Sequence, residues 1–137
     1  MEQDTSAFVA DHKLIQALEK RSQPVSCDED RVLFRQGETP SGLYILWSGE
    51  AALIMTSEAG KEVMSLRAIA SSLLGLPGII GNEPYTLTAT ARKGSEVKFV
   101  TRSDFEDLMR AEPSLSFKVL QVLATEVRAA RKALAEI

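Results

Sequence analysis

The hydrophobic period of this chain changes twice, and that change limits the fold more than any other feature. Up to about residue 22 and again after residue 103, apolar residues recur at helical spacing. Between Arg31 and Thr101 they come in short runs broken by Gly, Pro and Ser: "RVLFR" (31–35), "LYILWSG" (43–49), "EAALIM" (50–55), "EVMSLRAI" (62–69), "YTLTATA" (85–91) and "SEVKFVT" (95–101). The gaps between them, such as "QGETPSG" (36–42), "TSEAGK" (56–61) and "RKG" (92–94), are turn chemistry and too short for crossover helices. The pattern therefore predicts a β-barrel or sandwich and not a parallel sheet. The runs at 43–49 and 50–55, joined by a glycine turn, read as a hairpin.

The flanks are helical. Ala7, Phe8, Leu14, Ile15 and Leu18 predict an amphipathic helix over about 5–20, with Asp11 as a polar break. "SQPVSCDED" (22–30) reads as a polar loop. "SDFE" (103–106) fits a capping box between Ser103 and Glu106, and that helix should stop near Glu112, before Pro113. A long helix starts near Ser114. In it Leu120, Leu123, Val127, Ala130, Leu134 and Ile137 step by 3, 4, 3, 4, 3, a heptad seam, whereas Leu115, Val119 and Val122 lie on a different face. One face can pack on the chain's own barrel. The other predicts a homodimer through the C-terminal helix.

With 137 residues the chain fits one domain over 1–137. It divides into an N-terminal helix (1–22), a β-barrel (30–101), and hinge and dimerisation helices (103–137). The net charge of −3 gives no electrostatic footprint for DNA, so no direct DNA binding is expected. No apolar run approaches the ~18 residues of a membrane span, and the acidic N-terminus is unlike a secretory signal, so a cytoplasmic protein without a membrane partner is expected. A single cysteine and a single histidine cannot form an internal disulfide, an iron–sulfur cluster or a His/Cys metal site. No nucleophile–base pair stands out, and no enzyme is expected. Cys27 reads as an inert thiol, His12 as a surface residue, Asp28–Asp30 as a solvated loop, and Phe34 and Trp47 as core.

The order helix, β region, short helix, long helix resembles the cyclic-nucleotide-binding domain. "VLFRQGETPSGLYILWSGEAALIM" (32–55) is similar to that family's opening strands, with glycines 37, 42 and 49 where the family places turns. "SEVKFVTRSDFEDLMRAEPSLSFKVLQVLATEV" (95–127) resembles its last strand and hinge helices. The resemblance is greatest to sensor domains of the catabolite-activator and fumarate–nitrate-regulator type, without their helix-turn-helix. It implies a double-stranded β-helix (jelly-roll) barrel plus a long C-terminal helix, and a final helix that forms the dimer interface.

The resemblance also places "GLPGIIGNEPYTLTA" (75–89) on the family's phosphate-binding cassette, a helical turn plus the following strand. Nucleotide-binding members carry Gly-Glu-Leu/Ile-Ala there, and further on Arg-Ser/Thr-Ala. The arginine pairs with the cyclic phosphate and the glutamate accepts from the ribose hydroxyl. Here Gly75 matches the first glycine, Leu76 stands in the glutamate's place, and Gly78 takes the small residue's place, with Ile79 and Ile80 after it. Tyr85 stands in the arginine's place, nine residues after Leu76 as in the family, and Thr86 matches the Ser/Thr. The frame is kept and both recognition side chains are gone. Pro77 removes a backbone donor as well. Without the arginine a buried phosphate lacks its countercharge, so tight cyclic nucleotide binding is not expected and no cofactor is implied. Leu76, Ile79 and Ile80 either line a pocket for another ligand or fill it. The resemblance puts Thr125, Glu126 and Arg128 of the long helix where the family contacts the base.

The expectation is therefore a regulatory sensor and dimerisation domain with a degenerate cassette, whose partner is an unknown small ligand or protein. One alternative is a working cyclic AMP or cyclic GMP site. Another is a structural tether for a fused or partner protein.

Overall fold

A computed structural model describes residues 6–135. In chain order the elements are α1 (His12–Glu19), β1 (Gln23–Val25), β2 (Arg31–Phe34), β3 (Gly42–Ser48), β4 (Ala51–Thr56), β5 (Glu62–Ala68), β6 (Ser72–Leu74), α2 (Leu76–Gly81), β7 (Thr88–Ala91), β8 (Glu96–Thr101), α3 (Arg102–Ala111) and α4 (Leu115–Ala135). The strands form two four-stranded antiparallel sheets, β1-β8-β3-β6 and β2-β7-β4-β5. This is the jelly-roll arrangement with a long C-terminal helix.

Adjacent apolar runs do not pair as the sequence suggested. β3 and β4 lie in different sheets, so 43–49 and 50–55 are not a hairpin. The chain crosses between sheets at Gly49, whose φ is +94°. A side chain there is ruled out on two grounds. L-residues rarely adopt that φ, and a Cβ would sit 2.2 Å from the Ser95 hydroxyl oxygen. The true consecutive hairpin is β4–β5, with Leu53 opposite Leu66 and Met55 opposite Met64.

Four local expectations are also corrected. Residues 7–10 are not helical. Val9 bridges Ser72, the Leu73 amide donates to the Phe8 carbonyl, and the Ala10 amide to the Ser71 carbonyl, which carries the fully buried Ala7 and Phe8 into the barrel. Asp11, read as a break, is the N-cap of α1: its carboxylate accepts from the Lys13 amide at 2.8 Å and the Leu14 amide at 3.4 Å. The 22–30 loop contains a strand, β1, paired with β8. The cap of α3 is Thr101, not Ser103, because the Thr101 hydroxyl accepts from the Asp104 amide at 3.0 Å.

Alternation along β3 sorts the core into two clusters. Tyr44 and Leu46 face the opposite sheet with Leu53, Met64, Leu66, Leu74 and Val97. Leu43 and Ile45 face outward and are covered by α1, α3 and the first half of α4 through Leu14, Leu18, Phe105, Leu115 and Val119. Trp47 continues the outward set but is not core: it is 36% exposed, and the Lys98 ammonium lies 4.9 Å from its ring centre. That ammonium also pairs with Glu19 of α1 at 2.9 Å. No helix among the described residues is long and apolar enough to cross a membrane.

Gly49→Ala is expected to destabilise the domain by about 2 kcal/mol or more, since it combines a strained φ with a steric clash. Urea denaturation followed by circular dichroism measures this, and an unchanged midpoint would mean the sheet crossing tolerates a side chain.

Candidate ligand pocket

The segment 75–86 is held in a fixed shape. α2 lies between two left-handed residues, Gly75 (φ +95°) and Asn82 (φ +53°). Pro77 at its first turn needs no amide partner there. The Arg102 guanidinium donates to the Asn82 side-chain oxygen at 2.6 Å and to the Pro40 carbonyl at 3.2 Å, so the start of α3 anchors the end of α2. Gly78 is packed closely: a Cβ there would lie 2.7 Å from Pro40 Cγ.

The expected site residues separate into two groups. Gly75, Gly78, Tyr85 and Thr86 line one pocket inside the barrel. Leu76 and Ile79 are buried but belong to the helical cluster on the other side of the sheet, so they neither line the pocket nor fill it. Ile80 is 48% exposed. Of the residues expected to form a dimer seam, Leu120, Val127 and Leu134 are exposed on α4, Leu123 and Ala130 are half-buried, and Ile137 lies outside the described residues.

Tyr85 occupies the centre of the site. Its ring stacks on Phe34 with centroids 4.0 Å apart, and its hydroxyl donates to the Gly42 carbonyl at 2.7 Å. Burial raises its phenol pKa. Its amide donates to the Glu38 carbonyl, and its carbonyl accepts from the Gly37 amide. The hydroxyl is thus committed to the backbone and is not offered to a ligand. The space that remains is about 10 Å³, roughly room for one water molecule. Thr86 is exposed at the edge.

No guanidinium among the described residues lines this pocket. Arg92 and Arg67 both pair with Glu50, at 2.9 and 3.8 Å, and are largely exposed. On α4, the Thr125 hydroxyl donates back to the Gln121 carbonyl and Arg128 is exposed. The residue that does enter is Glu126. It is 8% exposed, and its Oε2 is buried with no hydrogen-bond partner. Burial alone pushes its pKa from 4.5 up to about 7. The signal for this was available in the sequence. Leu115, Val119, Val122, Glu126, Ala129 and Ala133 step by 4, 3, 4, 3, 4 and are the buried face of α4, so extending the Leu115–Val122 face would have placed Glu126 inward.

Residues 24–112 match the cyclic nucleotide-binding domain family. The chain belongs to that family. A CRP-like cAMP-activated global transcriptional regulator of Mycobacterium tuberculosis is 28% identical over 123 residues, covering 90% of this chain and 55% of that protein. The Thermus thermophilus catabolite activator protein superposes with a TM-score of 0.77 at 22% identity, over 91% of this chain and 59% of the other. Oxidized CprK in complex with o-chlorophenolacetic acid superposes with a TM-score of 0.72 at 18% identity, over 99% of this chain and 55% of the other. The chain thus spans about half the length of the regulators it matches.

Two outcomes follow from this cyclic nucleotide-binding domain's pocket. Tyr85→Phe leaves the Gly42 carbonyl without its partner and is expected to cost about 1–3 kcal/mol in thermal unfolding. Glu126, with its folded pKa raised, stabilises the fold fully below pH 4.5 and loses that contribution as pH climbs through about 7. Wild-type stability should therefore fall by up to about 3 kcal/mol between pH 4.5 and 8, while Glu126→Gln stays nearly flat. Denaturant midpoints across that range test this; parallel profiles for the two proteins would refute it.

Proposed function

We propose that this chain is the sensor domain of a regulator, that its cassette no longer takes a cyclic nucleotide, and that it dimerises through α4. The observation that carries the reading is Tyr85. Where nucleotide-binding relatives are expected to hold an arginine, this chain has a phenol stacked inward and bonded to its own backbone. A cyclic phosphate entering here would meet no cation among the described residues, and would face the carboxyl of Glu126. Its desolvation would be uncompensated. The CprK complex illustrates that a chain of this fold can be occupied by something other than a nucleotide.

Support for the dimer comes from α4. Leu120 at 58%, Val127 at 49% and Leu134 at 39% exposure form a line of apolar side chains opposite the face that packs on the barrel. Such an apolar stripe favours a partner surface, and with the half-buried Leu123 and Ala130 between its members it has the 3–4 spacing that favours a second copy of the same helix. In the expected mechanism, a ligand beneath α4 biases two arrangements of that seam.

A small pocket and an exposed seam also fit the structural tether. Glu126 favours the sensor, because an unpartnered buried carboxyl weakens a purely structural core and is readily replaced by leucine.

Calorimetric titration with cyclic AMP and cyclic GMP tests the first part. No heat at millimolar nucleotide is expected from a folded protein; micromolar binding would restore the nucleotide-site reading. For the seam, light scattering should give a dimer for the wild type and a monomer for Leu120→Glu/Val127→Glu. An unchanged mass in the double variant would place the interface elsewhere.

A further inference from the structure

The inner wall of the pocket is apolar, built from Phe8, Phe34, Leu53 and Leu74, and its ionisable groups are Tyr85 and Glu126. The Tyr85 hydroxyl is already bonded to Gly42. Oε2 of Glu126 is shielded from solvent and lacks a partner. Polar groups buried in this way are ordinarily satisfied, and an exception calls for an explanation. We propose that this pocket takes a small molecule with an apolar body and one ammonium group, the ammonium donating to Glu126 Oε2 and the body lying against Phe34 and Leu74. The proposal rests on the sensor reading above and names the ligand class for that same pocket.

The chemistry of the wall decides among classes. An anion would face a carboxyl and no cation. A neutral donor would satisfy the oxygen but leave a desolvated carboxylate without countercharge. An ammonium supplies both, through a charge-assisted bond in a medium of low dielectric. Among the described residues, nothing on the surrounding elements competes. On β5, which packs against α4, Met64, Leu66 and Ala68 turn to the core while Glu62, Ser65 and Arg67 turn to solvent. Of the described residues before α1, Ala7 and Phe8 join this core, and both are uncharged. On α4 itself Arg128 is exposed.

A ligand larger than water must widen the pocket by displacing α4, which carries Glu126 directly before Val127 of the exposed stripe. Movement of Glu126 toward or away from an ammonium therefore moves the seam with it. Binding also involves a proton. Below about pH 7 the carboxyl is protonated, so capture of an ammonium releases that proton to solvent.

The test is calorimetry on the purified chain with benzylamine, benzyl alcohol and phenylacetate at pH 8 and pH 6, and with cyclic AMP in the same series. Benzylamine is expected to bind at least about tenfold tighter than benzyl alcohol, the least that one charge-assisted bond contributes, with phenylacetate silent. Its affinity should drop about tenfold at pH 6, with heats that depend on the buffer's ionisation enthalpy. Glu126→Gln should abolish the preference and the proton release. Glu126→Leu should unfold at a higher temperature than wild type at pH 8 yet give no benzylamine heat, which separates loss of the site from loss of the fold. Unchanged benzylamine binding in Glu126→Gln, equal binding of phenylacetate, or silence from all three probes overturns the proposal. Silence with cyclic AMP also silent leaves the sensor reading standing, whereas micromolar cyclic AMP binding overturns that reading and the proposal with it.

Discussion

The site depends on how Tyr85 is held. Its ring is stacked on β2 through Phe34, its hydroxyl is bonded to the first residue of β3, and both its backbone groups bond to the turn between those strands. One residue thus ties the segment after α2 to the β2–β3 turn. The anchoring also explains the glycine at 75, since a Cβ there would stand 3.1 Å from the Tyr85 ring. In the proposed reading, the phenol's internal hydrogen bond and stacked ring take the place of a ligand anchor.

Glu126 is the reason the pocket is not simply a filled core. The first half of α4 packs apolar side chains on the sheet with α1 and α3, and the second half lays Ala129 and Ala133 against the barrel. Small residues at those two positions let the helix approach closely, and the approach excludes water from the carboxyl one turn earlier. Burial without a partner raises its pKa and makes it the weak point of an otherwise well-packed interface. In the proposed sensor, a helix with one such face on its own barrel and an apolar stripe elsewhere would relay a change at the pocket to a second copy.

Much of the architecture was legible in the sequence because it rests on local rules. Period, turn residues and the proline after α3 located most strands and both C-terminal helices. Most of the failures share one cause. The pairing of 43–49 with 50–55, the helix over residues 7–10, the missing β1 and the core assignment of Trp47 each required knowing which sheet or surface a segment meets. Hydrophobic period reports that a face is buried and not against what. Likewise Leu76 and Ile79 are buried as their types suggest, but toward the helices and away from the pocket.

The sequence by itself determined that this is an antiparallel β domain with a long amphipathic helix, and that a leucine and a tyrosine stand nine residues apart in the segment that the family resemblance places on a phosphate-binding cassette. These follow from residue identity and local spacing. The tertiary structure decided that strands adjacent in sequence belong to opposite sheets, that the tyrosine's hydroxyl is spent on Gly42, and that an acidic residue on the last helix is the group left unpartnered in the pocket. Each of those depends on contacts between residues tens of positions apart, where burial, steric fit and hydrogen-bond competition are settled only when the chain has closed on itself.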